Sequence, residues 1–141
     1  MEQVKPDLAK KLGIKPGMLV CLLDVPPEAE GAVRASAPGA VFSTGLGEGR
    51  YDAILFWPRQ IDGLVERFAE LQGRIVLDGA IWAIIPKQKY AGQRGVHLTW
   101  EQVQAAGLQT DLVDNKVASI NEQDYGTRFV IRKERRIPLT K

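Results

Sequence analysis

The chain has 141 residues, 45% of them hydrophobic and three of them tryptophan, enough for one domain with an ordinary buried core. Its longest apolar runs, residues 18–23 and 80–85, fall far short of the ~20 residues that span a bilayer, and residues 1–5 lack the apolar segment of a secretory leader. The formal charge of +2 hides an asymmetry: residues 128–141 hold six cations against Glu134 alone, a net +5, whereas residues 1–127 hold 13 basic and 16 acidic groups, a net −3.

Residues 6–12 read as a short helix, with Lys10 and Lys11 complementing the dipole of its last turn and Gly13 stopping it. The continuous apolar run 18–23 suits a strand covered on both faces, as in a parallel sheet. Pro26 or Pro27 opens a second helix that reaches about Ala37, because proline is tolerated in a first helical turn. Residues 40–43 form a short second strand, and residues 52–57 a third that Pro58 closes. Ile61, Leu64, Val65, Phe68 and Leu71 then trace one apolar helical stripe.

Asp78-Gly79 reads as a turn into strand 80–85, which Pro86 ends, and residues 87–95 as a polar loop. Thr99 and Gln102 have capping-box spacing, with Leu98 and Val103 placed as a hydrophobic staple and Gly107 as the C-terminal cap. Strands 112–120 and 127–133, joined by loop 121–126, complete an antiparallel hairpin. The expected architecture is a single three-layer α/β sheet, mostly parallel, with an antiparallel edge. One connection departs from that plan. Residues 44–51 are too few for the usual crossover helix of about a dozen residues or more, so a helix is missing there or the strands pair unconventionally.

The element order resembles the class I S-adenosylmethionine-dependent methyltransferase fold, a Rossmann-like sheet, here in truncated form. Leu12-Gly13-Ile14-Lys15-Pro16-Gly17 looks like the helix-to-strand entry of those enzymes. Tyr51-Asp52-Ala53-Ile54-Leu55 is similar to their fourth strand, and Leu77-Asp78-Gly79-Ala80-Ile81-Trp82 resembles the turn into their fifth. Residues 8–17, with the Pro86-Lys87 strand end, are also similar to a family of short bacterial proteins that brings no established activity. The resemblance implies glycines after the first strand, an acid at the end of the second, and a polar residue, two prolines and an aromatic after the fourth. This chain has Asp24-Val25-Pro26-Pro27-Glu28, Phe42-Ser43-Thr44 and Phe56-Trp57-Pro58-Arg59 at those places.

Ligands of open α/β sheets bind beyond the carboxyl ends of strands. That rule singles out Asp24, Thr44, Trp57, Arg59, Lys87 and Lys89 for a small ligand or anion. Gly45-Leu46-Gly47-Glu48-Gly49 has the alternating glycines of a phosphate loop, yet leads into a strand instead of a helix N-terminus, and is expected as a flexible connection. Arg94 in the 87–95 loop, with Arg132, Lys133, Arg135 and Arg136 of the basic tail 132–141, is the candidate nucleic-acid surface. The solvated reading of those cations is favoured. The only cysteine, Cys21, is expected as a buried thiol, and the only histidine, His97, in a local structural role; together they exclude an intramolecular disulfide and His-rich metal sites. The sequence thus favours one cytoplasmic domain, 1–141, that acts by binding or regulation, alone or with a protein partner such as a second copy. No cofactor is expected, although S-adenosylmethionine is the one the fold implies. The alternatives are an active methyltransferase with an unconventional pocket and a nucleic-acid-associated protein.

Overall fold

The computed structural model describes residues 6–136; residues 1–5 and 137–141, which include the start read for a leader and the tail cation Lys141, lie outside them. Strands β1 (Leu19–Leu23), β2 (Val41–Thr44), β3 (Tyr51–Phe56) and β4 (Ile75–Pro86) are parallel. The hairpin of β5 (Leu112–Ser119) and β6 (Asp124–Ile131) joins β4 antiparallel, giving the order β2-β1-β3-β4-β6-β5.

Alternation along the strands builds two cores. Val20, Leu22, Leu55 and Trp82 meet α1 (Pro6–Leu12) and α2 (Pro27–Ser36) on one face. Cys21, Ile54, Ile81 and Phe129 meet α3 (Leu64–Gln72) and α5 (Trp100–Leu108) on the other. This is the expected three-layer sheet. Phe68 of α3 sits between Phe56 and Phe129, with ring centroids 5.4 Å and 4.8 Å away. Trp82, fully buried, donates its indole N–H to the Leu12 carbonyl at 3.1 Å and ties α1 to the sheet. The capping box of α5 is present: Gln102 N–H donates to Thr99 Oγ1 at 3.2 Å, and Thr99 N–H donates to Gln102 Oε1 at 3.0 Å.

Several boundaries differ from expectation for local reasons. Gly63, at φ 77, caps α3 in the left-handed conformation, so Ile61 falls outside the helix and is 44% exposed. Asp78-Gly79 is no turn but an irregularity inside the twelve-residue β4, where the register with β3 slips between Tyr51 and Ala53. Gly79 lets the strands approach closely, since a Cβ there would lie 3.0 Å from the Asp52 carbonyl. Gln88–Ala91 of the 87–95 loop is a short helix, α4. Asn121 Oδ1 accepts from Gln123 N–H (2.8 Å) and Asp124 N–H (2.9 Å), a turn that starts β6 at Asp124, earlier than expected. Gly107 lies inside α5 and does not cap it; Gln109 does.

The short connection between β2 and β3 is the structural departure that matters most. The two strands are not neighbours, since both pair with β1 from opposite sides. Residues 45–50 therefore run from the carboxyl end of β2 back to the start of β3, across the α3 and α5 face. Six extended residues reach ~20 Å and five-residue β1 is ~16 Å long, so the strap spans the strand with little slack. It is also pinned. Gly45 N–H donates to the Leu22 carbonyl at 3.0 Å and Gly47 N–H to Tyr51 Oη at 2.7 Å. The Arg74 guanidinium donates to the carbonyls of Gly47 and Gly49, the latter at 3.0 and 3.1 Å. Leu46 packs on the core, and the buried Cys21 thiol donates to the Gly45 carbonyl at 3.2 Å. Burial pushes the Cys21 thiol pKa up, and Cys21 is a packed thiol under the strap. The expected flexible connection is thus a fixed cover.

A Cβ on Gly107 would collide with the Phe129 ring. Overpacking of this kind costs ~1–3 kcal/mol, which outweighs the ~1 kcal/mol that alanine gains over glycine in a helix. Gly107→Ala is therefore expected to lower the unfolding free energy in urea by up to about 2 kcal/mol; an increase would contradict the packing role.

Candidate functional site

Beyond the carboxyl ends of β1 and β3 lies an open cavity of about 560 Å³. The end of β1 delivers Asp24, the end of β3 delivers Trp57, Pro58 and Arg59, the segment into α3 delivers Asp62, and α3 itself delivers Arg67. Of the six residues that the strand-end rule singled out, the cavity gathers Asp24, Trp57 and Arg59. Thr44 is exposed at the end of β2 and does not line it. Lys87 instead donates its backbone N–H to the Gln123 carbonyl at 2.7 Å, and Lys89 is exposed with Nζ 5.3 Å from the centre of the Tyr90 ring.

Each lining residue is held by its element. Asp24 has φ 58, the only described residue other than glycine with positive φ. That left-handed conformation turns the chain out of β1 toward α2 and sets the carboxylate at the cavity, 62% exposed and 3.8 Å from the Arg67 guanidinium. Arg67 also meets Glu70 at 3.1 Å along α3. Arg59 donates to the Arg94 carbonyl at 2.8 Å, while its own carbonyl accepts from His97 N–H at 2.8 Å, so the 87–97 segment is laced to the end of β3. His97 is exposed and serves that lacing through its backbone. Trp57 is 5% exposed; its ring packs in the α1 and α2 core, and its N–H meets no acceptor among the described residues.

The cavity carries two carboxylates, Asp24 and Asp62, against two guanidinium groups, Arg59 and Arg67. Asp62 and Arg67 escaped the sequence reading because the apolar stripe of α3 assigns them to solvent. The signal was nonetheless present: a helix that follows a parallel strand begins at the carboxyl end of that strand, so its first turns must border the strand-end crevice.

The turn from β1 into α2 is poor in donors. Pro26 is the N-cap and Pro27 the first helical residue, no side chain caps the helix, and neither proline has an N–H. The next amide is that of Glu28, and those of Ala29 and Glu30 already donate to the Pro26 carbonyl at 2.9 and 3.0 Å.

A second cavity, about 500 Å³, opens on the other side of this turn between α2 and the β5–β6 loop. Here Arg94 pairs with the buried Asp124 at 2.6 Å. The described tail cations, within residues 132–136, lie at the opposite end of β6, ~24 Å away along its eight residues. Arg132 N–H donates to the Asp111 carbonyl, Arg135 approaches the Asp111 carboxylate at 3.8 Å, and Arg136 donates to the Ile131 carbonyl at 2.7 Å. Lys133 is exposed in the 3₁₀ turn Lys133–Arg135. Among the described residues, Arg94 and the tail cations Arg132, Lys133, Arg135 and Arg136 do not form one basic surface. Among the described residues no cluster of three potential metal ligands occurs, and no helix is long and apolar enough to cross a membrane.

Asp24 carries a strain that glycine would not feel, since the left-handed region costs most L-residues ~1–2 kcal/mol. Asp24→Gly is expected to leave stability unchanged or raise it by up to ~1 kcal/mol, whereas Asp24→Val is expected to cost about 1–2 kcal/mol. Urea denaturation of the two variants checks this; equal losses would assign the carboxylate a structural role.

No family model matches the chain, and no curated protein matches it in sequence. Solved structures do match. N-methyltransferase NodS from Bradyrhizobium japonicum WM9 superposes with a TM-score of 0.58 at 11% identity, over 89% of this chain and 92% of that one. A putative sarcosine dimethylglycine methyltransferase from Galdieria sulphuraria gives 0.59 at 11%, over 86% and 83%. A putative type 11 methyltransferase from Sulfolobus solfataricus gives 0.57 at 13%, over 94% and 95%. At such identities the likeness concerns the fold: this chain has a truncated, six-stranded form of the class I S-adenosylmethionine-dependent methyltransferase fold.

Proposed function

We propose that this domain uses a methyltransferase-like scaffold to bind a small polar ligand without transferring a methyl group, in a regulatory or recognition role. The observation that carries this reading is the β1–α2 turn. In the fold the chain resembles, a glycine-rich turn lets backbone amides approach the cofactor. Here the corresponding turn presents two prolines and a carboxylate. The end of β2 adds to the mismatch, with Ser43 and the exposed Thr44 where the resemblance implies an acid. The clamped strap 45–50 also replaces the crossover that would wall that side. These residues do not give S-adenosylmethionine the glycine-lined turn and strand-end acid that the resemblance implies.

The cavity suits a different class of ligand. Two carboxylates and two guanidinium groups leave it without net charge, so a polyanion gains little there. A net-neutral, polar or zwitterionic molecule can pair its anion with Arg59 or Arg67 and its cation with Asp24 or Asp62. The same charge pattern favours one competing reading. The aminocarboxylate end of S-adenosylmethionine is itself a zwitterion, which is how an active enzyme with an unconventional pocket would use the site. NodS has been crystallised with S-adenosyl-L-homocysteine, and ChlM from Synechocystis PCC 6803 with the same compound bound.

Calorimetric titration with S-adenosylmethionine and with S-adenosylhomocysteine separates the readings. No saturable heat is expected up to roughly millimolar ligand. Saturable micromolar binding that Asp24→Gly weakens would overturn the exclusion of S-adenosylmethionine, and methyl transfer from the bound compound to an acceptor would overturn the non-catalytic reading.

A further inference from the structure

The outer side of β2 is an unpaired sheet edge among the described residues, since β2 pairs only with β1. The ladder fixes which groups face outward. Val41 N–H donates to the Met18 carbonyl at 2.8 Å and Gly45 N–H to the Leu22 carbonyl at 3.0 Å, so residues 41, 43 and 45 turn their backbone toward β1. Phe42 and Thr44 therefore point their N–H and C=O groups outward, two donors and two acceptors at alternate positions. Proteins commonly protect such edges with charge, proline or a covering loop. Among the described residues this four-residue strand is short but carries no charge, proline or covering loop, and Leu19 and Val41, partners in register, are 45% and 55% exposed beside it.

We propose that β2 is the seat of a two-fold homodimer, in which the edges of two copies pair antiparallel and fuse two six-stranded sheets into one. The occupant is a second copy because the edge is complementary to itself. With the two-fold axis at Ser43, Phe42 lies opposite the partner's Thr44 and Thr44 opposite the partner's Phe42. Each such pair exchanges both backbone hydrogen bonds, four in all. Val41 then covers the partner's Gly45, and the exposed apolar corner leaves water.

The flanking helix repeats the self-complementarity in charge. On the side of α2 next to β2, Arg34 stacks over Phe42 with its guanidinium 5.7 Å from the ring centre, and Glu30 holds Arg34 at 2.9 Å. These two residues are one helical turn apart. Antiparallel α2 helices about the same axis bring Glu30 to the partner's Arg34 and Arg34 to the partner's Glu30, as an isologous interface requires. Gly31, next on that flank, adds no bulk to hold the helices apart.

Sedimentation equilibrium over a concentration series tests this on the full chain. The mass is expected to rise from the 15.6 kDa monomer toward twice that value. Thr44→Pro removes one outward N–H, a change that edge strands tolerate, and is expected to leave a folded monomer by circular dichroism. Arg34→Glu places like charges across the axis and is expected to weaken the dimer roughly tenfold, and adding Glu30→Arg to it restores wild-type association. A wild-type monomer up to roughly millimolar concentration overturns the proposal. So does a dimer indifferent to both Thr44→Pro and Arg34→Glu.

Discussion

Six residues must bring the chain from the carboxyl end of β2 back to the start of β3 across the width of β1, and much of the molecule is arranged around that constraint. A helix cannot do it in so few residues, so the crossing is extended, and an extended segment buries little apolar surface to hold itself down. Hydrogen bonds supply the hold. Arg74, just before β4, donates to the carbonyls of Gly47 and Gly49, Tyr51 accepts from the Gly47 N–H, and Gly45 continues the β2 ladder. Beneath it Cys21 and Leu46 complete the core.

The strap has a consequence at each end. At the carboxyl end of the sheet it leaves β2 without the wall that a longer crossover would raise, so the open space gathers instead between β1, β3 and the start of α3. That is where Asp24, Arg59, Asp62 and Arg67 stand with balanced charge. At the margin of the sheet it leaves β2 as the last strand, with its outer ladder positions unpaired. The character of the cavity and the open edge thus share one origin.

Most of the fold was legible in the sequence because the signals were local. Prolines 58 and 86 end strands, the 18–23 run carries a strand buried on both faces, and Thr99 with Gln102 marks a helix start to the residue. What escaped was set by contacts between distant segments. Gly107 resembles a helix stop until Phe129 is seen to occupy the space beside it. Asp78-Gly79 resembles a turn until the carbonyl of Asp52 is found against it. The site was half legible for the same reason. Strand ends named Asp24, Trp57 and Arg59, but which of the four ends share one cavity depends on strand order, and the sequence does not print that order. It also could not foresee that Arg94 is spent on Asp124, or that the tail begins at the far end of β6.

Amide hydrogen exchange at Gly45 and Gly47 is the most direct test of the strap. Both N–H groups are hydrogen-bonded in a fixed cover, so they are expected to exchange ~100-fold or more slowly than an open glycine loop, and Arg74→Met should release Gly47 in particular. Exchange at the unprotected rate in the wild-type protein would contradict the fixed cover, and would return residues 45–50 to the status of a mobile connection.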